Sequence, residues 1–205
     1  MIHNTQHLNI LIPKFKFTKG AELGVRRGDF SADLLNNNPN LHMICVDLWG
    51  SDPSLNENHD HNSNYKIYLE KTKEFRDRIT EHRMLLDDAA KLCEDCMLDF
   101  VFIDATHTYN AVRNDYYTWL PKVRMGGLMC GHDYHPEFDN GGMVKAIKEF
   151  DPSIIELPSY FPGNTDMSIN VGKTIELLES GKSVADCQTN CWFIWKTPRM
   201  SEKGK

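Results

Sequence analysis

Nowhere in its 205 residues does the chain hold an apolar run of about 18 residues, the length an α-helix needs to cross a bilayer. Met1 to Ile12 also lacks the charged start and apolar stretch of a secretory leader. A cytoplasmic protein with no membrane partner is expected. Positive charge is scarce as well: 23 Lys and Arg against 29 Asp and Glu leave a formal charge of −6. Work that depends on neutralising nucleic-acid phosphates needs a clustered basic surface, so a small or polar substrate is expected and no nucleic acid. No internal repeat is visible, and the length suits a single domain with a real hydrophobic core. Six cysteines are present, but Cys45 and Cys130 sit in apolar runs. Cys93 and Cys96, with the looser pair Cys187 and Cys191, read as reduced thiols rather than a zinc site.

What the chain does have is strand-length apolar runs alternating with longer amphipathic stretches, the pattern of β-α-β units around a parallel sheet. Strands are expected near Ala21 to Leu23, His42 to Val46, Met84 to Leu86, Leu98 to Ile103, Gly127 to Gly131, Ile154 to Leu157 and Trp192 to Trp195. The second, third and fourth stop at Asp47, Asp87 and Asp104, and the fifth runs into His132 and Asp133. Ligands of open α/β sheets bind outside the carboxyl ends of the strands, so these endings are expected to share one crevice. A polar insertion near 51–64 and a longer one near 158–190, read as an active-site flap or an oligomer contact, interrupt the single domain 1–205. The helix Tyr65 to Thr80 is expected to roof the substrate.

Glu22-Leu23-Gly24-Val25-Arg26-Arg27-Gly28 sets an acid and two glycines at the first strand-to-helix turn, where glycine lets backbone approach a ligand. Arg26 stands where G-x-G-x-x-G would place its second glycine, so the dinucleotide fingerprint is absent. The spacing E-x-G-x-x-x-G resembles the first motif of class I methyltransferases. Asp47 with Leu48, about twenty residues on, occupies the position of the ribose-binding carboxylate. Asp87-Asp88-Ala89 stands where this class lines the adenine.

The stretch Asp104-Ala105-Thr106-His107-Thr108-Tyr109, then Asp115, Trp119-Leu120-Pro121 and Gly126 to Tyr134, resembles the sugar O-methyltransferases typified by the macrocin and mycinamicin enzymes. Glu22-Leu23-Gly24 and Cys191 to Lys196 join the resemblance, which covers most of Lys19 to Lys196. It implies a Rossmann-like class I methyltransferase fold, with a mostly parallel seven-stranded sheet, helices on both faces and an antiparallel last strand. It also implies S-adenosylmethionine as cofactor, bound by Glu22, Gly24, Gly28, Asp47, Leu48, Asp87, Asp88, Ala89 and Asp104. A divalent metal, magnesium or manganese, would sit on Asp104, His132 and Asp133 and orient two vicinal sugar hydroxyls.

A histidine replaces the first acid of that final pair, which favours manganese, iron or a water-mediated contact over direct magnesium binding, or leaves His132 outside the ligand set. The base is expected to be His107, in D-x-x-H spacing from Asp104, so that Asp104, His107 and Asp133 form the catalytic set. Tyr109, Tyr134 and His135 are expected at the acceptor, with Trp49 as a further wall and Arg26 and Arg27 facing the cofactor carboxylate, the acceptor or solvent. His59-Asp60-His61 reads as a solvated run rather than a chelator. The expected reaction is O-methylation of a sugar such as rhamnose, beside or fused to glycosyltransferases, in a possible homo-oligomer. Methylation of a catechol-like phenol, a two-histidine metal oxygenase and a cofactor-binding module without catalysis are the alternatives.

Overall fold

The structure is a computed structural model that describes residues 6–50, 61–158 and 168–198. Its elements, in chain order, are α1 (Gln6–Phe15), β1 (Lys19–Leu23), α2 (Asp29–Asn37), β2 (His42–Asp47), α3 (His61–Thr72), β3 (Ile79–Arg83), α4 (Leu86–Leu92) and β4 (Leu98–Ile103). Then follow α5 (Tyr109–Trp119), β5 (Val123–Gly131), α6 (Gly142–Phe150), β6 (Ile155–Leu157), α7 (Ser168–Glu179), β7 (Val184–Asp186) and β8 (Cys191–Trp195). They build one eight-stranded sheet in the order β3-β2-β1-β4-β5-β8-β7-β6. All neighbours are parallel except β8, which runs antiparallel to both β5 and β7. This is the Rossmann-like methyltransferase arrangement expected, with one strand more.

β4 lies at the centre because five of its six residues are apolar and all six are buried. Val101 and Ile103 join Ala21, Val46 and Met129 beneath α4, α5 and α6, while Phe100 and Phe102 join Met43, Leu128 and Phe193 beneath α1, α2, α3 and α7. This alternation within one strand divides the core into two layers, as strand geometry requires.

Three expectations fail. The third strand is Ile79–Arg83, not Met84 to Leu86, so it ends at Arg83 and Asp87 falls in the first turn of α4. An edge strand is only half covered and needs no continuous apolar run, whereas Met84-Leu85-Leu86 has one and lies beyond the strand. The helix expected over Tyr65 to Thr80 ends at Thr72, passes through a 3₁₀ stretch at Lys73–Arg78 and gives way to β3. The eighth strand, β7, arises within 158–190, whose other described element, α7, packs on α1 and β7. Residues 159–167 and most of 51–64, including His59 and Asp60, lie outside the described residues.

Asp115, on the inner face of α5, is only 6% exposed; burial, reinforced by Asp87, pushes its carboxyl up to about 7. An unfolded aspartate ionises near pH 4, so between about pH 4 and 7 the unfolded chain has released a proton that the folded chain still holds. Stability should fall as pH rises through this window, by roughly 2–4 kcal/mol. Asp115→Asn carries no charge at any pH, so its stability gain over the parent, measured by urea denaturation, should be near zero at pH 4 and largest above pH 7. A gain independent of pH would refute the assignment.

Candidate active site

The carboxyl ends of β1, β2, β4 and β5 meet on one edge. At its centre the turn after β1 rests on the end of β4: Asp104 N–H donates to the Leu23 carbonyl at 2.8 Å and Gly24 N–H to the Val46 carbonyl at 2.9 Å. A Cβ on Gly24 would lie 2.2 Å from the Asp104 carbonyl oxygen, and its φ is +89°. Glycine is therefore demanded twice, by space and by backbone. Gly28, the N-cap of α2, has φ +73°, and a Cβ there would strike the Tyr68 ring at 2.7 Å.

Glu22 lies below this turn, 2% exposed, with its carboxylate accepting a hydrogen bond from the Ser31 hydroxyl; burial pushes its carboxyl well above the usual range. Its contacts therefore serve the turn rather than the open crevice. Asp47, half-buried, accepts from Arg26 N–H and from Trp49 N–H, each at 2.8 Å, which ties the β1 and β2 loops together. Leu48 beside it is half-buried. Of the expected adenine group, Asp87 and Asp88 are exposed, with Asp87 accepting from Asn114 at 2.8 Å and Asp88 paired with Lys91 at 2.7 Å; Ala89 is fully buried in the core. The sequence reading missed Leu85, taken for strand interior, which instead stands 54% exposed immediately before α4.

At the far end of the edge His107 reaches back from the start of α5, which Thr108 caps by accepting from Ala111 N–H at 3.3 Å. His107 Nε2 lies 2.7 Å from Asp133 Oδ2 and 3.6 Å from Asp104 Oδ1, buried and without an aligned hydrogen bond to either. Ligand-capable atoms of Asp104, His107 and Asp133 all lie within 4.8 Å of one another, the one such group among the described residues. His132 does not join it. A left-handed Asp133 (φ 60°) turns the loop so that His132 Nδ1 contacts Asp133 Oδ1 at 2.9 Å. The expected metal set of Asp104, His132 and Asp133 thus has His107, not His132, facing both carboxylates. The cysteines likewise form no such group among the described residues.

The two carboxylates, Asp104 and then Asp133, lift the His107 imidazole to about 10 against the opposing effect of burial. Burial would raise Asp133, but the imidazoles of His107 and His132 beside it outweigh burial and hold the carboxyl well below its usual range. For His132, burial is outweighed by Asp133 and Asp104, and its pKa is raised. Of the two imidazoles, His107 is the one that faces both acids, so its positive charge is the one placed to balance the pair. Two carboxylates and an unaligned buried imidazole nitrogen are a donor set that fits a divalent ion.

The acceptor expectations fare unevenly. Tyr134 is 2% exposed in the core with its hydroxyl on Glu156, and Trp49 is fully buried against Tyr68, so neither ring offers an open face. Tyr109 leans away toward α6, its hydroxyl on Glu149 at 2.7 Å. His135 is half-buried and its Nδ1 accepts from Glu137 N–H at 3.3 Å. Phe138, which the sequence reading passed over, packs its ring 5.3 Å from that of His107. Its neighbour Asp139 accepts from Tyr109 N–H at 2.7 Å, pinning the loop after β5 to the start of α5.

A family model described as a methyltransferase domain matches residues 21–134, more than half of the chain, from the Glu22 turn through Asp133. The chain belongs to this family of methyltransferase domains. Among solved structures it is similar to the O-methyltransferase TomG from Streptomyces achromogenes, described as in complex with SAM (TM-score 0.53, 12% identity, 92% of this chain and 78% of that one). It is also similar to cofactor-bound Rv0187 from MTB (0.53, 16%, 70% and 65%) and to spermidine synthase from Thermotoga maritima (0.51, 15%, 70% and 46%). The chain thus spans under half the length of the last of these. No curated protein matches it. No helix among the described residues is long and apolar enough to cross a membrane.

Gly24→Ala should destabilise the fold by about 2–4 kcal/mol, since Asp104 backbone must move. Gly126→Ala, at φ +71° with its nearest neighbour 3.7 Å away, should cost only about 1 kcal/mol. Equal losses in urea denaturation would show that the close approach to β4 is not what Gly24 provides.

Proposed function

We propose that this enzyme methylates a hydroxyl group, with the hydroxyl held at Asp104, His107 and Asp133 and the cofactor over the Gly24 to Gly28 turn. The observation that carries the reading is the convergence of those three side chains beside a turn pressed onto the same strand end. Methyl transfer needs an in-line approach of a nucleophilic oxygen to the sulfonium carbon, so positioning and removal of one proton are the tasks left to the protein. Asp104 and Asp133 would hold a divalent ion, which would supply Lewis acidity at the acceptor oxygen. His107 is the group placed to take the hydroxyl proton, once a cation rather than its own charge balances the two acids. Leu85, exposed immediately before α4, offers an apolar face for the adenine ring.

The acceptor we favour is a sugar hydroxyl on a glycan, modified beside glycosyltransferases. Support comes from the likeness of Asp104 to Tyr134 to the sugar O-methyltransferases and from the ring of Phe138 flanked by polar His135 and Asp139. A two-histidine oxygenase centre is disfavoured, because His132 turns to Asp133 and His135 to the Glu137 backbone, leaving a single histidine in the converging group.

The test is transfer of radiolabelled methyl from S-adenosylmethionine to a panel of free and nucleotide-linked sugars and catechols, with magnesium or manganese supplied. Sugars should be labelled, and chelation of the metal should abolish transfer. His107→Ala and Asp133→Ala should each lower turnover by about a hundredfold or more, with cofactor affinity within about threefold. Labelling of catechols alone would overturn the sugar reading, and full activity in both variants would overturn the site.

A further inference from the structure

We propose that Arg26 grips the α-carboxylate of the cofactor, an assignment that rests on the methyltransferase reading of this crevice. The starting observation is a backbone suited to glycine that carries arginine. Arg26 has φ 52°, between Gly24 at 89° and Gly28 at 73°. It is locked there by its own main chain: its N–H donates to Asp47 Oδ2 at 2.8 Å and its carbonyl accepts from Trp49 Nε1 at 2.7 Å. Glycine would make both bonds without the crowding that a Cβ suffers at positive φ. The turn therefore does not account for arginine, and only the side chain distinguishes it.

That side chain is exposed and, among the described residues, has no hydrogen bond, ion pair or ring contact. Neighbouring cations are committed: Arg27 donates to Asn64 Oδ1 at 2.9 Å, and Arg83 donates to the Trp49 carbonyl and lies over the Tyr65 ring. The other left-handed non-glycine residues at this edge also have uses, Trp49 in the core and Asp133 in the acidic cluster. Backbone strain held at a functional edge with an idle side chain points to a ligand.

Charge identifies which part of the ligand. The acids flanking the open side of the turn are Asp47 and Asp104, suited to the sulfonium and ammonium of S-adenosylmethionine. Its single carboxylate is the group they would repel. A guanidinium presents the planar pair of donors that matches a carboxylate, and Arg26 sits on the turn over which the cofactor lies.

Titration calorimetry with S-adenosylmethionine and with decarboxylated S-adenosylmethionine, which lacks only that carboxylate, tests the assignment without any acceptor. The parent protein should bind the intact cofactor at least about tenfold more tightly than the decarboxylated one. Arg26→Gly should lose about tenfold or more in affinity for the intact cofactor, keep its affinity for the decarboxylated one within about threefold, and melt no lower than the parent. Arg26→Gln should lose the same selectivity. Unchanged affinity for the intact cofactor in Arg26→Gly, or a parallel loss for both compounds, would overturn the proposal. A parent protein that binds neither compound would overturn the cofactor reading and this assignment with it, a result distinct from the other two.

Discussion

Everything at the carboxyl edge depends on how closely the first turn can approach the end of β4. The Asp104 carbonyl lies where a side chain of residue 24 would be, and the Asp104 amide closes onto Leu23. Because Gly24 yields that space, the first glycine turn and an acidic cluster that are distant in sequence become two walls of one crevice. The parallel registers of β2, β1, β4 and β5 extend the alignment, so Asp47 and Asp133 fall on the same edge.

The second constraint is electrostatic. Glu22, Asp47, Asp104 and Asp133 are acids drawn to one edge, and each meets its situation differently. Glu22 has only a hydroxyl partner and full burial, so its carboxyl is pushed up; Asp133 has two imidazoles, so its own is held down. Asp47 spends its oxygens on two backbone amides and thereby organises Arg26 and Trp49. The carboxylates of Asp47, Asp104 and Asp133 suit a cationic cofactor and a divalent ion, and His107 stands between the last two with a balancing charge.

Much of this was legible in the chain itself. β4 is legible residue for residue because a central strand buried on both faces is a run of apolar residues, here broken only by Asp99, and the aspartate after it announces the edge. β3 was misplaced for the converse reason: Ile79–Arg83 is a half-exposed edge strand with little apolar signal, next to an apolar run that belongs to a loop and a helix start. β7, three residues long, has no periodicity to detect. D-x-x-H pointed to His107, but its standing between the two carboxylates, in place of His132, depends on the left-handed Asp133, which spacing does not encode. Trp49 and Tyr134 looked like acceptor walls because aromatics near a site resemble core aromatics in sequence; burial alone separates them.

The central claim, that the Gly24 turn and the Asp104, His107, Asp133 cluster form one methyl-transfer site, is tested most directly by a crystal structure with S-adenosylhomocysteine and manganese, using anomalous scattering to locate the ion. The account predicts an ion bounded by Asp104 and Asp133, with the thioether sulfur between it and the Gly24 turn. A nucleoside bound elsewhere, or an ion away from those two carboxylates, would contradict it.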